Sequence, residues 1–482
     1  MIDIKNKLTE LNPYKNYSHD DKGLGELFAD VYKNQCRYNT TTKSWYIYNG
    51  KCWIEDTGNV KVSRYAKKLY DELYEYASKI ENKQTMEDYS KFIRRLGQLR
   101  NRKIIVEDAK DKYPISNEQL DTDIYLFNCQ NGTFNLSNFK LQPHNPDDLI
   151  SKISNVIYNP HSKSNVFSKF ISEVLENDTE KIEYLQKILG YALTGDTSQE
   201  EFYIFYGPST RNGKSTLIEA IINMFGSTKG YAVTINPESL ASRQYLDGRQ
   251  ASGDIARLRG YRFANANEAP KNMSFNVNLL KILTGRDTIT AREIYQTSFA
   301  FNPICKIFFN TNYLPLIADD TLFTSNRVKV ITFNKHFKEE EQNKKLKDEL
   351  KSPDVVSEIF NWCIEGLKNF YMKKAIPPSS VIKDTLEYKS SNDILETFIN
   401  ECLIKVKNNS KAGYIYEYYK NWLVNNGYPI ETKQQFFSEL KRKNLFEIYG
   451  TVDGKTIRNV IIGYELKSKI KDWLSQCAKC VK

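Results

Sequence analysis

Histidine is scarce in this sequence. The chain has 482 residues and four histidines, His19, His144, His161 and His336, none at metal-ligand spacing from another. A HExxH hydrolase is thereby excluded, and a histidine-based triad has little support. Cysteine is thin as well, with eight residues scattered along the length: Cys36, Cys52, Cys129, Cys305, Cys363, Cys402, Cys477 and Cys480. Such scatter excludes a disulfide framework and suits reduced thiols in a cytosol. Cys477-Ala-Lys-Cys480 has ligand spacing, but zinc needs four ligands and no second pair accompanies it. It reads as part of a basic tail. Apolar runs are short, none approaching the roughly 18–20 residues that span a bilayer. The opening residues, Met1-Ile-Asp-Ile-Lys-Asn-Lys7, hold no apolar h-region. No membrane partner and no signal peptide are expected, and the expected location is cytoplasmic. No internal repeat and no heptad or collagen-like period appears.

Apolar and aromatic residues are plentiful, at 40% and 13%, with 27% charged. That composition builds several cores and excludes a disordered chain. At roughly 100–200 residues per domain it suggests two to four domains. The net charge of +10 is unevenly spread: residues 401–482 hold 15 Lys and Arg against 8 Asp and Glu. A basic module on a near-neutral body is the footprint of a nucleic-acid binder. A solvated lysine-rich helix gives the same count.

Periodicity divides the chain. Asn49-Gly50 sits inside the aromatic run Ser44–Trp53 and predicts a β-hairpin. Residues 63–102 have helical spacing and end in the basic cluster Arg94–Lys103, which reads as a solvated helix end. Residues 121–158 read as short strands with a hairpin at Asn131-Gly132, and residues 166–195 as helical. Strands and helices then alternate from Phe202 to Phe333, the pattern of a parallel α/β sheet. Two helices are expected over 338–373, and Ala375-Ile-Pro-Pro-Ser-Ser380 reads as a linker. Helices over 392–407, 413–426 and 432–443 precede two strands around Asp453-Gly454, the outline of a winged helix-turn-helix.

Gly207-Pro-Ser-Thr-Arg-Asn-Gly-Lys-Ser-Thr216 joins the strand Phe202–Tyr206 to a helix. Backbone N–H groups and a helix N-terminus aimed at one point suit the dense charge of a nucleoside triphosphate. Gly207, Asn212, Gly213, Lys214, Ser215 and Thr216 are the candidate binding residues, for ATP and Mg²⁺. Lys214 would reach the β- and γ-phosphates and Ser215 would hold Mg²⁺. In the usual spacing a glycine stands where this chain has Pro208, and Gly207 comes one residue early, which leaves the role of Gly207 open. An acid to engage Mg²⁺ or activate water is supplied by Glu268, at the end of Arg262–Glu268, with Asn267 where many such ATPases have a second carboxylate. Asn312, after the strand that begins at Lys306, would hold the attacking water or the γ-phosphate.

Five stretches carry a resemblance. They are Asn131-Gly-Thr-Phe-Asn-Leu136, Asn212–Thr216, Ala266-Asn-Glu268, Leu280–Arg292 and Phe309-Asn-Thr-Asn-Tyr-Leu-Pro315. In residues, order and spacing, the segment from Asp121 to Phe333 resembles the superfamily 3 helicases of the phage and plasmid primase-helicase type, related to the poxvirus primase-helicase. The resemblance implies an α/β fold: an AAA+ P-loop ATPase core, an N-terminal α+β accessory region and a C-terminal winged-helix domain. The implied divisions are 1–120 accessory, 121–198 collar-like, 199–374 helicase, 375–391 linker and 392–482 winged helix.

It also implies a ring, a homohexamer around DNA. Lys214 and Ser215 match the P-loop residues, Glu268 the Walker B acid and Asn312 the sensor asparagine. Arg327 matches the arginine finger that reaches a neighbour's ATP; a surface salt bridge is its other reading. Asp287–Phe301 alternates as a hairpin, which in these helicases projects into the channel. Lys281, Arg286, Arg292 and Tyr295 lie in or beside it and are candidates to hold single-stranded DNA by charge and stacking. For each alone, a structural role is equally open. On the C-terminal module the candidate DNA contacts are Lys433, Lys441 and Arg442, reading bases or touching phosphates.

The implied activity is ATP-dependent unwinding of single-stranded and forked DNA, 3′ to 5′ by family analogy. It would serve replication of a phage, plasmid or pathogenicity-island-like element, with origin DNA and a separate primase or polymerase as further candidate partners. Codons for Lys, Asn, Ile and Tyr abound, which suits an AT-rich genome. Asp121-Thr-Asp123 has the DxD form of a priming site but no preceding domain of adequate size, so no primer synthesis is expected. Two other readings stand beside this one: a bifunctional primase-helicase, and an ATP-regulated DNA-binding protein without unwinding activity.

Overall fold

Five short runs rich in aromatic and branched residues form the centre of the molecule. They are β1 (Phe202–Tyr206), β2 (Ala232–Ile235), β3 (Phe263–Asn267), β4 (Lys306–Thr311) and β5 (Val328–Thr332). The computed structural model describes residues 3–467 except 243–252, 272, 293–297, 318, 427 and 429. In it the five strands make one parallel sheet in the order β5-β1-β4-β3-β2. Parallel strands need covered connections, and a sheet covered on both faces tolerates near-continuous apolar runs. Alternate residues accordingly enter two cores. Tyr203, Phe205, Phe263, Phe308 and Ile331 join one; Phe202, Ile204, Ala264, Phe309 and Val330 join the other.

The first core is capped by the helices Val166–Val174, Thr179–Ala192, Lys214–Phe225 and Pro353–Lys373, and by the hairpin Leu126–Cys129 with Gly132–Asn135. Two glycines set the approach of Thr179–Ala192 to Pro353–Lys373. A Cβ at Gly190 would come 2.3 Å from the Leu367 nitrogen, and one at Gly366 2.0 Å from the Gln186 carbonyl oxygen. Val277–Thr284 and Ser379–Asn392 contribute Leu280, Leu283 and Tyr388 to the second core. Residues Ile4–Ala109 hold a separate apolar cluster of helices packed against a three-stranded antiparallel sheet. Another cluster, Leu395 to Leu466, gathers three helices around two small antiparallel sheets. The mixed α/β class with a parallel sheet, expected from the alternation, is what the fold has.

Several details depart from expectation. The stretch read as a linker, 375–391, is largely the helix Ser379–Asn392, started after Pro378 and packed on β5. Its Thr385 hydroxyl accepts the Val330 N–H at 3.0 Å, and the Tyr388 hydroxyl donates to the Pro315 carbonyl. The two prolines mark the helix start, not a flexible tether. Asn131-Gly132 does form a hairpin, but its loop is Gln130-Asn131, and Gly132 already pairs with Cys129. At Asn49-Gly50 the loop is longer: the Asn49 side chain accepts the N–H groups of Lys51 and Cys52 at 2.9 and 2.8 Å. Asp453-Gly454 is the two-residue turn expected, with φ of 48° and 74°. Of the two helices expected over 338–373, only Pro353–Lys373 is long. The helix expected over 392–407 is Ile394–Cys402, ending where Leu403–Lys405 pairs as a strand with Tyr464–Leu466. Among the described residues, no helix is long and apolar enough to cross a membrane.

Candidate active site

In an open parallel sheet, ligands sit beyond the carboxyl ends of the strands where neighbouring connections diverge. Here the chain leaves β1 for the far edge at β2, then returns through β3 to β4 beside β1. The crevice between these exits receives the loop 207–213 after β1, Glu268 after β3 and Asn312 after β4.

Lys214 begins the helix Lys214–Phe225, and its side chain is buried. Its Nζ donates to Asn312 Oδ1 at 2.6 Å and lies 3.4 Å from the Gly207 carbonyl oxygen. No carboxylate pairs with it among the described residues. Burial pulls its pKa down to about 8, against the opposing field of Glu268. A buried ammonium with only neutral partners is costly, and a phosphate would offset that cost. The Asn212 amide ties the loop together: Nδ2 donates to the Ser209 carbonyl at 2.6 Å and Oδ1 accepts the Lys214 N–H at 3.3 Å. His336 Nδ1 lies 2.9 Å from the Thr210 carbonyl, and the Phe337 N–H donates to the Arg211 carbonyl at 2.9 Å. Ser215 is exposed and Thr216 half-buried.

The structure gives Gly207 a steric role. A Cβ there would lie 2.1 Å from Asn212 Nδ2 and 2.6 Å from Lys214 Nζ, so a larger residue would push these two side-chain ends aside where the loop folds back on its own lysine. At Gly213, φ is +81° and a Cβ would lie 2.5 Å from Val174 Cγ2.

Glu268 takes a left-handed backbone, φ 58°, and its N–H donates to the Asn310 carbonyl at 2.8 Å. Its exposed carboxylate accepts no hydrogen bond among the described residues. Asn267 stands one residue before it, and its Oδ1 accepts from Asn310 Nδ2 at 3.3 Å. Asn310 Oδ1 and both amide atoms of Asn265 are buried without partners. These asparagines share strand faces with Phe263 and Phe308, whose rings stack on each other and, through Phe263, on Phe225 of the Lys214 helix. The Ser215 hydroxyl and the Glu268 carboxylate are hard oxygen donors of the kind that a hydrated Mg²⁺ accepts. No group of three or more His, Cys, Asp or Glu side chains fit to hold a metal occurs among the described residues.

Arg327 lies at the opposite end of the sheet, just before β5, where its carbonyl accepts the Phe202 N–H. It therefore cannot reach the phosphate loop of its own chain. Its guanidinium pairs with Glu200, donates to Thr284 Oγ1 at 2.8 Å and lies 3.4 Å from the Lys281 carbonyl. Glu200 and Thr284 were missed in the sequence. A glutamate at the N-terminal edge of β1 was the signal available.

Two of the nucleic-acid candidates, Lys281 and Arg442, are held by the neighbouring acids Asp319 and Asp320. Lys281 pairs with Asp319 at 3.7 Å. Arg286 is exposed, and Arg292 follows the strand Ile289–Ala291, which pairs with Phe299–Phe301 as the expected hairpin. Tyr295 lies outside the described residues, as do Cys477 and Cys480. Lys433 and Lys441 stand at opposite ends of the helix Lys433–Arg442, about 12 Å apart along its axis. Arg442 is engaged by Asp320 at 3.0 Å and Glu439 at 2.6 Å. Two further buried cations went unnoticed because apolar strands hide them. Arg262 donates to the Leu193 and Leu126 carbonyls at 2.6 and 2.7 Å, and Lys306 to the Thr194 carbonyl at 2.5 Å. Both stitch the preceding segment to the sheet, and burial lowers the Lys306 pKa to about 7.

Comparison with known proteins follows this geometry. Residues 25–176 match the family described as "D5 N terminal like", and residues 205–327 match a family of unknown function, DUF5906. A protein of Acanthamoeba polyphaga mimivirus named as a candidate helicase is 29% identical over 413 residues, 78% of this chain and 42% of its own. A candidate helicase of Frog virus 3 is 28% identical over 230 residues, 43% of this chain and 22% of its own. A candidate primase of African swine fever virus is 22% identical over 308 residues, 60% of this chain and 32% of its own. The C-terminal region of NrS-1, residues 305–718, superposes with a TM-score of 0.49 at 12% identity, covering 92% of this chain and all of that one. The chain thus spans about two fifths of the length of its mimivirus relative and less of the others. The resemblance to superfamily 3 primase-helicases, read from the motifs, is borne out by these matches.

Proposed function

We propose that this chain is the ATP-driven motor of a replicative DNA helicase, working as a ring of identical subunits. The observation that carries the reading is the convergence of Lys214, Asn312 and Glu268 at the carboxyl ends of β1, β4 and β3. In this reading Lys214 and the loop N–H groups hold the phosphates of ATP. Ser215 and Glu268 would hold Mg²⁺, which would supply positive charge against the phosphates. Asn312, now on Lys214, turns to the γ-phosphate or the attacking water when nucleotide displaces it. Glu268 orients that water.

Arg327 completes a neighbour's site. Its position across the sheet from its own phosphate loop supports action in trans, and head-to-tail contact of identical subunits closes into a ring. Its hold on Thr284 and the Lys281 carbonyl, five and eight residues before the hairpin strand Ile289–Ala291, supports a path from ATP to DNA. The hairpin, with Lys281, Arg286, Arg292 and Tyr295, would grip the strand. The three helices and antiparallel ribbon after Ile394 support a winged-helix module bearing Lys433 and Lys441. Translocation runs 3′ to 5′ in this reading. The name of the swine fever virus relative favours a second reading, a motor that serves a priming activity.

Unwinding of a forked duplex with ATP and Mg²⁺ tests the proposal. Native protein should separate the strands, and Lys214→Ala and Glu268→Gln should bind DNA without separating them. ATP turnover with no strand separation would reduce the chain to a loader or switch. Templated primer synthesis would favour the second reading.

A further inference from the structure

Buried lysines in this chain generally have an anion or a carbonyl. Lys329 pairs with Glu201 at 3.2 Å, Lys187 with Glu183 at 2.7 Å, and Lys306 with the Thr194 carbonyl. Lys152, half-buried, has neither among the described residues. Its Nζ lies 3.7 Å from the centroid of the Tyr261 ring. Burial pushes its pKa down, against the pull of Asp121. Lys214 shares this condition: a desolvated ammonium with no carboxylate paired to it.

Lys152 faces a cavity of about 520 Å³. Tyr46 of the N-terminal sheet, the segment around Asp121, Arg259 and the hairpin base at Phe301-Asn302 form its walls. That is within the size of small-ligand sites. Gly260 keeps it open: φ is +72°, and a Cβ would lie 3.1 Å from Lys152 Cε. Two acids also line it, and both are occupied. Asp121 accepts from the N–H and hydroxyl of Ser151, and Glu118 pairs with Arg259 at a loose 3.5 Å. An arriving anion could displace Glu118 from Arg259.

We propose that this cavity is a second phosphate-binding site, separate from the Gly207–Thr216 loop, where Lys152 and Arg259 take a phosphate of a nucleic-acid strand or of a nucleotide. Its place at the foot of the hairpin favours the strand. That source rests on the DNA reading above, whereas the nucleotide source does not.

The test uses the full chain and two probes. One is a fluorescein-labelled oligo-dT, titrated at several salt concentrations. The other is a fluorescent ADP, titrated against Lys214→Ala protein so that the loop site is weakened. Lys152→Gln and Arg259→Gln should each weaken one probe about three- to tenfold, while Lys152→Arg retains binding. For the strand, each should also flatten the slope of log K against log salt by about 0.7. Loss on oligo-dT identifies the strand, and loss on ADP identifies the nucleotide. Thermal unfolding checks that the variants fold; should Lys152→Gln fail to fold, the half-exposed Arg259→Gln carries the test. Parental affinity and salt slope for both probes in folded variants would overturn the proposal. So would the absence of binding of either probe in the parent proteins.

Discussion

The two ends of the parallel sheet are built differently. At the carboxyl end the loop folds back on its own residues: Gly207 sits against the Asn212 and Lys214 side-chain ends, Asn212 ties both sides, and Lys214 rests against a neutral amide. At the amino end, Arg327 is fully occupied by Glu200, Thr284 and the Lys281 carbonyl. One end holds a cation short of an anion; the other holds a cation already paired. In the proposed reading, a single chain therefore carries a binding site ready for phosphate and an arginine that must exchange partners before it can act on one. In that reading the difference marks where assembly enters: nucleotide binding would belong to the subunit, and hydrolysis to the contact between subunits.

The comparison breaks most sharply at Arg327. Arg327→Ala should lower ATP turnover by about 10³-fold, the scale of an arginine finger, with nucleotide affinity kept. Steady-state turnover beside equilibrium ADP binding checks it; a matched loss of affinity would place Arg327 in its own subunit's site. Lys214→Ala should lower turnover by about 10²- to 10³-fold and weaken nucleotide binding as well. Gly207→Ala sharpens the account of the carboxyl end. Its Cβ cannot fit beside Asn212 and Lys214 without moving them, so the KM for ATP should rise about tenfold, a cost of about 1.4 kcal/mol. A KM equal to native would mean the loop yields freely.

Proton linkage gives a fourth test. Free Lys214 loses its charge above about pH 8. Bound phosphates hold it protonated, so binding above that pH takes up a proton. The KM for ATP should be level below pH 8 and rise by up to about tenfold per unit above it. Lys214→Arg should remove the rise. The smallest effect is expected at Glu200, which is 42% exposed. Glu200→Gln should change stability by less than about 1 kcal/mol, read from urea unfolding, because an exposed pair is screened. It should also lower the protein concentration at which turnover reaches its plateau, since Arg327 is freed for a neighbour.

Much of this was legible in the residues. The apolar runs of β1, β3, β4 and β5 and the punctuation around Gly207–Thr216 placed the sheet and the loop, because covered parallel strands and phosphate loops both leave local marks. Asp453-Gly454 gave its turn outright, whereas Asn49-Gly50 and Asn131-Gly132 did not, because a side-chain turn and a shifted register overrode the dipeptide. The partners of Arg327 were not legible. Glu200 is 127 residues away in sequence, and only folding brings it there. Nor were the buried Arg262 and Lys306, whose carbonyl partners lie in a preceding segment. The helix Ser379–Asn392 was hidden by the prolines that start it.

The central claim is that each site is completed by the next subunit's Arg327. Its most direct test is ATP turnover in an equimolar mixture of Lys214→Ala and Arg327→Ala proteins, each inactive alone. Random mixing pairs an intact Lys214 with a neighbour's intact Arg327 at about a quarter of the contacts, so turnover should recover to about a quarter of native in a head-to-tail ring. Turnover that stays at the mean of the two separate variants would contradict the claim and leave Arg327 as a surface ion pair.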